Sequence, residues 1–232
     1  MRLLRDALLA LELQSPRILC LGLGSPSSSR DARAQLAFLL AVCDNLTLDR
    51  STVSVFDPVF TDEDNNLLAA VGARRLSEDR RAAYPLDKPT IVFMPHCDLQ
   101  LYENFLQENG APDRLAQFVL IANRLSEYGD SVPSRKLATD CPSVARLGPE
   151  ATSVMLPACA AHTTAFNNLA VQYWAFARAG SDPTDPASAG GRVPGVSDPA
   201  GSPPHNPSPT TPVVVRSHDC SGGINTTDST PG

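Results

Sequence analysis

The stretch RILCLGLGSPSSSRDARAQLAFLLAVCDNL, residues 17–46, decides the fold. Its first part, RILCLGLG, is a compact apolar run that follows Pro16 and ends on Gly22 and Gly24, the pattern of a strand buried on both faces. Then the period changes. Serine caps precede Leu36, Leu39, Leu40 and Cys43, which fall at i, i+3, i+4 and i+7 and share one stripe of a helix. A buried strand that turns through glycines into an amphipathic helix is the opening of a βαβ unit.

Outward from this unit the alternation continues. TVSVFDP (Thr52–Pro58) reads as a second strand stopped by Asp57-Pro58. Residues 62–71 form a helix with an acidic first turn, closed by Gly72. ARRL (73–76) is a short strand candidate, and PTIVFMP (89–95) a strong one. After it, Leu99, Tyr102, Phe105 and Leu106 make one face of a helix that ends near Asn109-Gly110, and AQFVLIAN (116–123) is a further buried strand. This alternation predicts a Rossmann-like three-layer α/β domain with a mostly parallel sheet over residues 17–178. Ahead of it, Leu3, Leu4, Ala7, Leu8 and Leu11 predict an amphipathic helix within residues 1–16, in preference to a leader peptide.

The pattern weakens beyond Tyr128. Residues 129–152 hold Pro133, Pro142, Gly148 and Pro149 with no sustained period, and read as a loop or insertion. AFNNLAVQYWAFA (165–177) regains apolar character and holds the only tryptophan, Trp174, with strand and helix both open. From Ala177 onward ten prolines and eight glycines crowd into fifty-six residues, so residues 179–232 read as a disordered tail.

Composition excludes several function classes. The formal charge of −6 leaves no basic footprint for nucleic acid or an anionic membrane. Arg74, Arg75, Arg80 and Arg81 form one local basic cluster, which reads as solvated surface ahead of a phosphate or partner site. No apolar run approaches the roughly twenty residues that span a bilayer. The six cysteines, Cys20, Cys43, Cys97, Cys141, Cys159 and Cys220, stand singly without metal-finger spacing and read as reduced intracellular thiols. In such a chain the N-x-T matches at Asn45 and Asn225 carry no weight.

The candidate site residues gather where strands end. Gly22, Gly24 and Ser25 occupy the first βα turn, where glycines let a backbone approach a nucleotide-like ligand and a helix N-terminus offers free N–H groups. The third glycine of G-x-G-x-x-G is here Ser27, after Pro26, so the turn reads either as a ligand loop or as a tight structural turn. Asp57 ends the second strand, where an acidic residue would meet a ribose hydroxyl, although Asp-Pro also initiates ordinary turns. Pro95, His96, Cys97 and Asp98 follow the fourth strand and belong at the same carboxyl edge. Adjacent side chains there point apart, which works against a Cys97–His96 dyad, and a metal site would need distant ligands such as Cys159 and His162.

GLGSPSSSRDARAQLAFLL, FDPVFTDEDNNLLAAVGARRLSED and PTIVFMPHCDLQLYENFLQENG, in that order, resemble the sensitivity-to-red-light-reduced (SRR) family of SRR-like domain proteins. The most specific element is the MPHC turn followed by Leu101, Tyr102, Asn104 and Leu106. Residues 17–125 carry the likeness, and AFNNLAVQYWAF resembles the family's closing F-N-D-x-S-x-H-x-F. The chain departs at Ala122-Asn123-Arg124-Leu125, where the family has G-N-S-F, at Asn109-Gly110, where it has N-W, and at Gln172, in the place of the closing histidine.

The resemblance implies an intracellular regulatory protein, cytoplasmic or nuclear, acting through protein partners or a small ligand. Relatives are tied to circadian and light signalling and to regulation of haem biosynthesis. It carries over no catalytic residue and fixes no cofactor. Two alternatives stand beside it: an S-adenosylmethionine-dependent methyltransferase using Gly22 and Gly24, and a haem or metal binder using His96 with Cys97. The MPHC turn lacks the second proline and the aromatic residue of the amino-methyltransferase acceptor motif.

Overall fold

A computed structural model describes residues 1–175; the tail expected at 179–232 and the last residues of the 17–178 span lie outside the described residues. Seven strands form one sheet: β1 (Arg17–Leu21), β2 (Val53–Phe56), β3 (Arg74–Arg75), β4 (Thr90–Met94), β5 (Phe118–Asn123), β6 (Thr152–Met155) and β7 (Leu169–Tyr173). Their order is β3-β2-β1-β4-β5-β7-β6. The first five run parallel, with Ile18 beside both Val53 and Ile91. β7 then pairs antiparallel with β5 and with β6. The chain is therefore the mostly parallel, three-layer α/β domain that the alternation predicts.

Helices α1 (Arg2–Ala10), α2 (Arg30–Leu46) and α3 (Asp62–Ala70) cover one face. Leu36, Leu39, Val42 and Cys43 of α2 and Leu68 of α3 join Ile18, Cys20, Val53 and Val55 in one core, and Leu4, Ala7 and Leu8 of α1 extend it over β5 and β7 with Val119, Ile121 and Val171. Each buried Leu, Ile or Val among them contributes about 1.5–3 kcal/mol by leaving water, which is why the stripe read at 36–43 fixes the helix. On the other face α4 (Leu99–Asn109) buries Tyr102, Phe105 and Leu106 against Leu19, Val92, Phe118 and Leu120.

The region read as a loop at 129–152 is helical instead. After α5 (Pro112–Leu115), three short helices follow: α6 (Tyr128–Ser131), α7 (Ser134–Asp140) and α8 (Pro142–Glu150). Pro142 sits in the first turn of α8, where a helix tolerates it, whereas Pro149 lies inside the last turn and gives up one intrahelical hydrogen bond as the helix ends. The Glu103 carboxylate of α4 accepts from the Ser143 and Val144 N–H groups (3.1 and 2.9 Å), satisfying donors that the α8 start leaves unpaired. Segments this short show one buried pair, Val144 and Leu147, and no period. The element left open at 165–177 contains the strand β7, buried along Leu169–Gln172.

Candidate carboxyl-edge site

The first turn after β1 is held by two buried carboxylates. Gly22 and Gly24 have φ of +72° and +74°, the left-handed region that glycine enters freely. Gly24 N–H donates to Asp57 Oδ2 at 2.7 Å, and Val59 N–H donates to Asp57 Oδ1 at 3.0 Å. Asp57, only 6% exposed, thus joins the first two strand ends as the sequence anticipates, but through the chain's own backbone.

Ser27, in place of a third glycine, donates its N–H to Asp64 Oδ1 at 2.8 Å. Asp64 is fully buried and also accepts from the N–H and hydroxyl of Thr61, while Thr61 Oγ1 accepts from Asp64 N–H and closes a capping box on α3. Burial opposes ionisation of this carboxyl, yet the N–H groups of Thr61 and Ser27 and the hydroxyls of Ser25 and Ser27 hold it well below the usual carboxylate range. Ser29 caps α2 by accepting from Ala32 N–H, and buried Ser25 accepts through its carbonyl from Ser29 N–H. The Gly24 and Ser27 N–H groups that a ligand phosphate would seek are therefore already bonded to carboxylates, which would also repel an anion.

The turn after β4 is held by neutral groups. Cys97 N–H donates to Tyr102 Oη at 3.1 Å, and Tyr102 Oη donates to the Met94 carbonyl at 2.9 Å. The Cys97 thiol donates to the Leu21 carbonyl at 3.4 Å and lies so close to Gly22 that a Cβ there would meet Sγ at 2.5 Å. Gly22 is glycine for two reasons, its φ and this approach. Burial pushes the Cys97 thiol up to about 12, with the Asp57 and Asp98 carboxylates adding to the effect, so it stays protonated at neutral pH and is a poor nucleophile.

His96 faces elsewhere. It is exposed, with φ of +52°, its N–H donates to Asn123 Oδ1 at 3.1 Å, and its ring Nε2 lies 3.3 Å from the Ala165 carbonyl. Buried Gln35 of α2 donates to that same carbonyl at 2.8 Å. His96 and Cys97 have separate partners, so the two side chains do not act as a pair.

Among the six residues picked from sequence, Gly22, Gly24, Asp57 and Cys97 converge where β1, β2 and β4 end. Ser25 turns toward Asp64, and His96 toward the segment before β7. Cys159 and His162 share a turn, His162 N–H to the Cys159 carbonyl at 3.1 Å, and no group of three or more His, Cys, Asp or Glu among the described residues is arranged to hold a metal ion. One cavity of about 150 Å³ opens beside the convergent residues, between Leu21, Gly22, Phe56, Pro58, Ala82 and Leu101.

Sequence reading missed Asp64, and it named Tyr102, Asn123 and Gln172 without giving them a role at this edge. Thr61-x-x-Asp64 ahead of a helix is a capping-box signature that could have flagged the first. Gln172 is fully buried in β7, accepts from Leu125 N–H at 2.9 Å and donates to the Asn123 carbonyl at 3.1 Å. The position that departs from the family's histidine therefore braces the turn after β5.

Comparison with known proteins fits these motifs. The chain is 32% identical over 132 residues to a mouse SRR1-like protein, covering 56% of this chain and 53% of the relative. It is 34% identical over 111 residues to Protein SENSITIVITY TO RED LIGHT REDUCED 1 of Arabidopsis thaliana, covering 48% and 40%. An SRR1-like protein of Drosophila melanogaster is 32% identical over 107 residues, covering 46% and 38%. The chain thus spans about half or less of the length of these curated relatives. No solved structure matches. The SRR1 domain family matches residues 4–173, from the first helix through the last strand, and the chain belongs to that family.

Proposed function

We propose that this chain is a regulatory SRR1-family protein that acts by binding, through a protein partner or a small ligand at the carboxyl edge, and does not turn over a substrate there. One observation carries the reading: the polar groups that would do chemistry at that edge are committed to the fold. Asp57 and Asp64 accept from backbone N–H groups, and the Cys97 thiol, pushed up to about 12, is bonded to the Leu21 carbonyl. The name of the Arabidopsis relative, which refers to sensitivity to red light, supports a regulatory role in signalling. The family's link to haem biosynthesis supports the same class of role, and the place of action would be the cytoplasm or nucleus.

The methyltransferase alternative has to overcome the carboxylates that fill the glycine loop. Haem binding through His96 with Cys97 has to overcome the separate directions of the two side chains. Thermal unfolding of the chain with S-adenosylmethionine, S-adenosylhomocysteine, NAD, NADP and hemin separates the readings. A ligand at about a hundredfold its Kd adds about 2.7 kcal/mol, a shift of several degrees. The expected result is no shift with the nucleotide-type cofactors and no methyl transfer to a panel of amine, thiol and hydroxyl acceptors. A shift with S-adenosylmethionine together with transfer overturns the proposal. A Soret change abolished by His96→Ala would instead make the small ligand haem.

A further inference from the structure

The opposite end of the sheet carries a feature that the carboxyl edge does not use. Residues 76–89, between β3 and β4, form no helix, so the face shared with α4 has no helical cover over the amino ends of β1, β2 and β3. Strand alternation puts Arg17 on the face of Leu19 and Leu21, Ser54 on the face of Phe56, and Arg74 beside Ser54 in register. With Ser51 and Thr52 from the single 3-10 turn that leads into β2, these side chains line a cavity of about 330 Å³.

Its lining is two guanidinium groups and three hydroxyls, with no carboxylate and no apolar side chain. Arg74 Nη2 donates to Ser54 Oγ at 3.2 Å, which aims the guanidinium across the cavity. The Arg17 guanidinium has no hydrogen-bond or ion-pair partner among the described residues, whose ion pairs use Arg2, Arg50, Arg80, Arg114, Arg124 and Lys136. Asp49, the acidic residue adjacent in sequence, has its carboxylate engaged by the N–H (2.9 Å) and hydroxyl of Ser51, and its carbonyl accepts from Thr52 Oγ1 at 2.6 Å. In a chain of net charge −6, the two guanidinium groups are a local concentration of unneutralised positive charge.

We propose that this cavity binds a phosphate-type dianion, the phosphate group of a phosphomonoester. Guanidinium forks match phosphate oxygens two at a time, and the Ser54 hydroxyl, which accepts from Arg74, keeps its own proton to donate to a remaining oxygen. The site lies at the amino edge and is independent of the carboxyl-edge reading.

Calorimetric titration of the full chain at constant ionic strength tests it, with inorganic phosphate, O-phosphoserine, a phosphoserine-containing peptide and chloride as titrants. The expected result is saturable binding of the phosphate-bearing probes but not of chloride. Arg17→Gln and Arg74→Gln should each weaken it by about tenfold or more, the loss of a charge-assisted contact. Arg17→Lys keeps the charge and loses the fork, so it should fall between wild type and Arg17→Gln, while Arg135→Gln on α7 should change nothing. Both arginines are exposed, and unchanged thermal unfolding of each variant shows that the fold is intact. Equal affinity for phosphate and peptide identifies a free or small-molecule anion; tighter peptide binding identifies a phosphorylated protein segment; either supports the site. No saturable binding of any phosphate probe overturns it, as does binding that survives in the Arg17→Gln, Arg74→Gln double variant.

Discussion

The two turns that close the carboxyl edge are only a thiol's width apart, yet opposite chemistry holds them. The turn after β1 is anchored by carboxylates, Asp57 and Asp64, that accept backbone N–H groups. The turn after β4 is anchored by uncharged groups, the Tyr102 hydroxyl, the Asn123 amide and the Leu21 carbonyl. They meet where the Cys97 thiol rests against Gly22. A charge-anchored turn loses its anchor when protonated, whereas a neutral one fails only when its thiol or phenol is forced to ionise. The same edge should therefore be vulnerable at both ends of the pH scale, through different residues.

The largest expected effect is that of Asp64→Ala. It strips a charged acceptor from the part-buried Ser27 and Thr61 N–H bonds and removes the side-chain half of the α3 capping box. Urea unfolding at neutral pH should show a loss of about 3–4 kcal/mol. A loss below about 1 kcal/mol would mean that the serine turn holds itself without the carboxylate and would erase the contrast between the turns.

Gly22→Ala should come next, at about 2–3 kcal/mol, from a left-handed φ imposed on an L side chain and a Cβ that cannot clear Cys97 Sγ. The two causes separate in a double-mutant cycle. In a Cys97→Ala background the cost of Gly22→Ala should fall to the φ contribution alone, about 1–2 kcal/mol. An unchanged cost would show that the two turns do not press on each other.

The pH profile sharpens the comparison further. Asp64 has a folded-state pKa below its unfolded value of about 4, so its contribution is present above that value and is lost as pH falls through the lower, folded one. Cys97 has the reverse sign: its folded thiol, pushed up to about 12, keeps a proton that the unfolded chain releases above about 8.5. Stability should then decline as pH rises from the unfolded value toward the folded one. Denaturation midpoints followed across pH should find the acid limb flattened by Asp64→Asn and the alkaline limb flattened by Cys97→Ala. If one variant flattened both limbs, the two turns would be a single electrostatic unit.

What the sequence discloses about this edge follows the same division. Gly22, Gly24, Asp57 and the MPHC turn were legible because backbone punctuation and strand ends leave local marks, and so was every strand from β1 to β5. Their partners were not legible. Asp64 serves Ser27 across thirty-seven residues, Gln172 serves Leu125 across forty-seven, and Glu103 serves the start of α8 across forty. Long-range acceptors have no period, and the helices they stabilise at 128–150 are too short to have one either. The two readings of Asp57 stay open in sequence for a related reason: a strand-end carboxylate looks the same whether it awaits a ribose or already holds Gly24.

The smallest predicted effect bears most directly on function. His96 is exposed and holds φ of +52°, where an L residue costs about 1 kcal/mol relative to glycine. Its backbone N–H bond to Asn123 does not depend on the side chain, and its ring makes a single part-buried contact, with the Ala165 carbonyl at 3.3 Å. His96→Gly should therefore stabilise the domain by about 0.5–1 kcal/mol in urea unfolding, even after the added chain entropy of glycine. That gain would mean that an imidazole stands in a strained, solvent-facing position where the fold prefers no side chain, which places its value in what the turn binds. A loss of stability would mean that the bond to Ala165 outweighs the strain. His96 would then join Tyr102 and Asn123 as architecture, and the search for the binding surface at this edge would move to the cavity between Phe56 and Leu101.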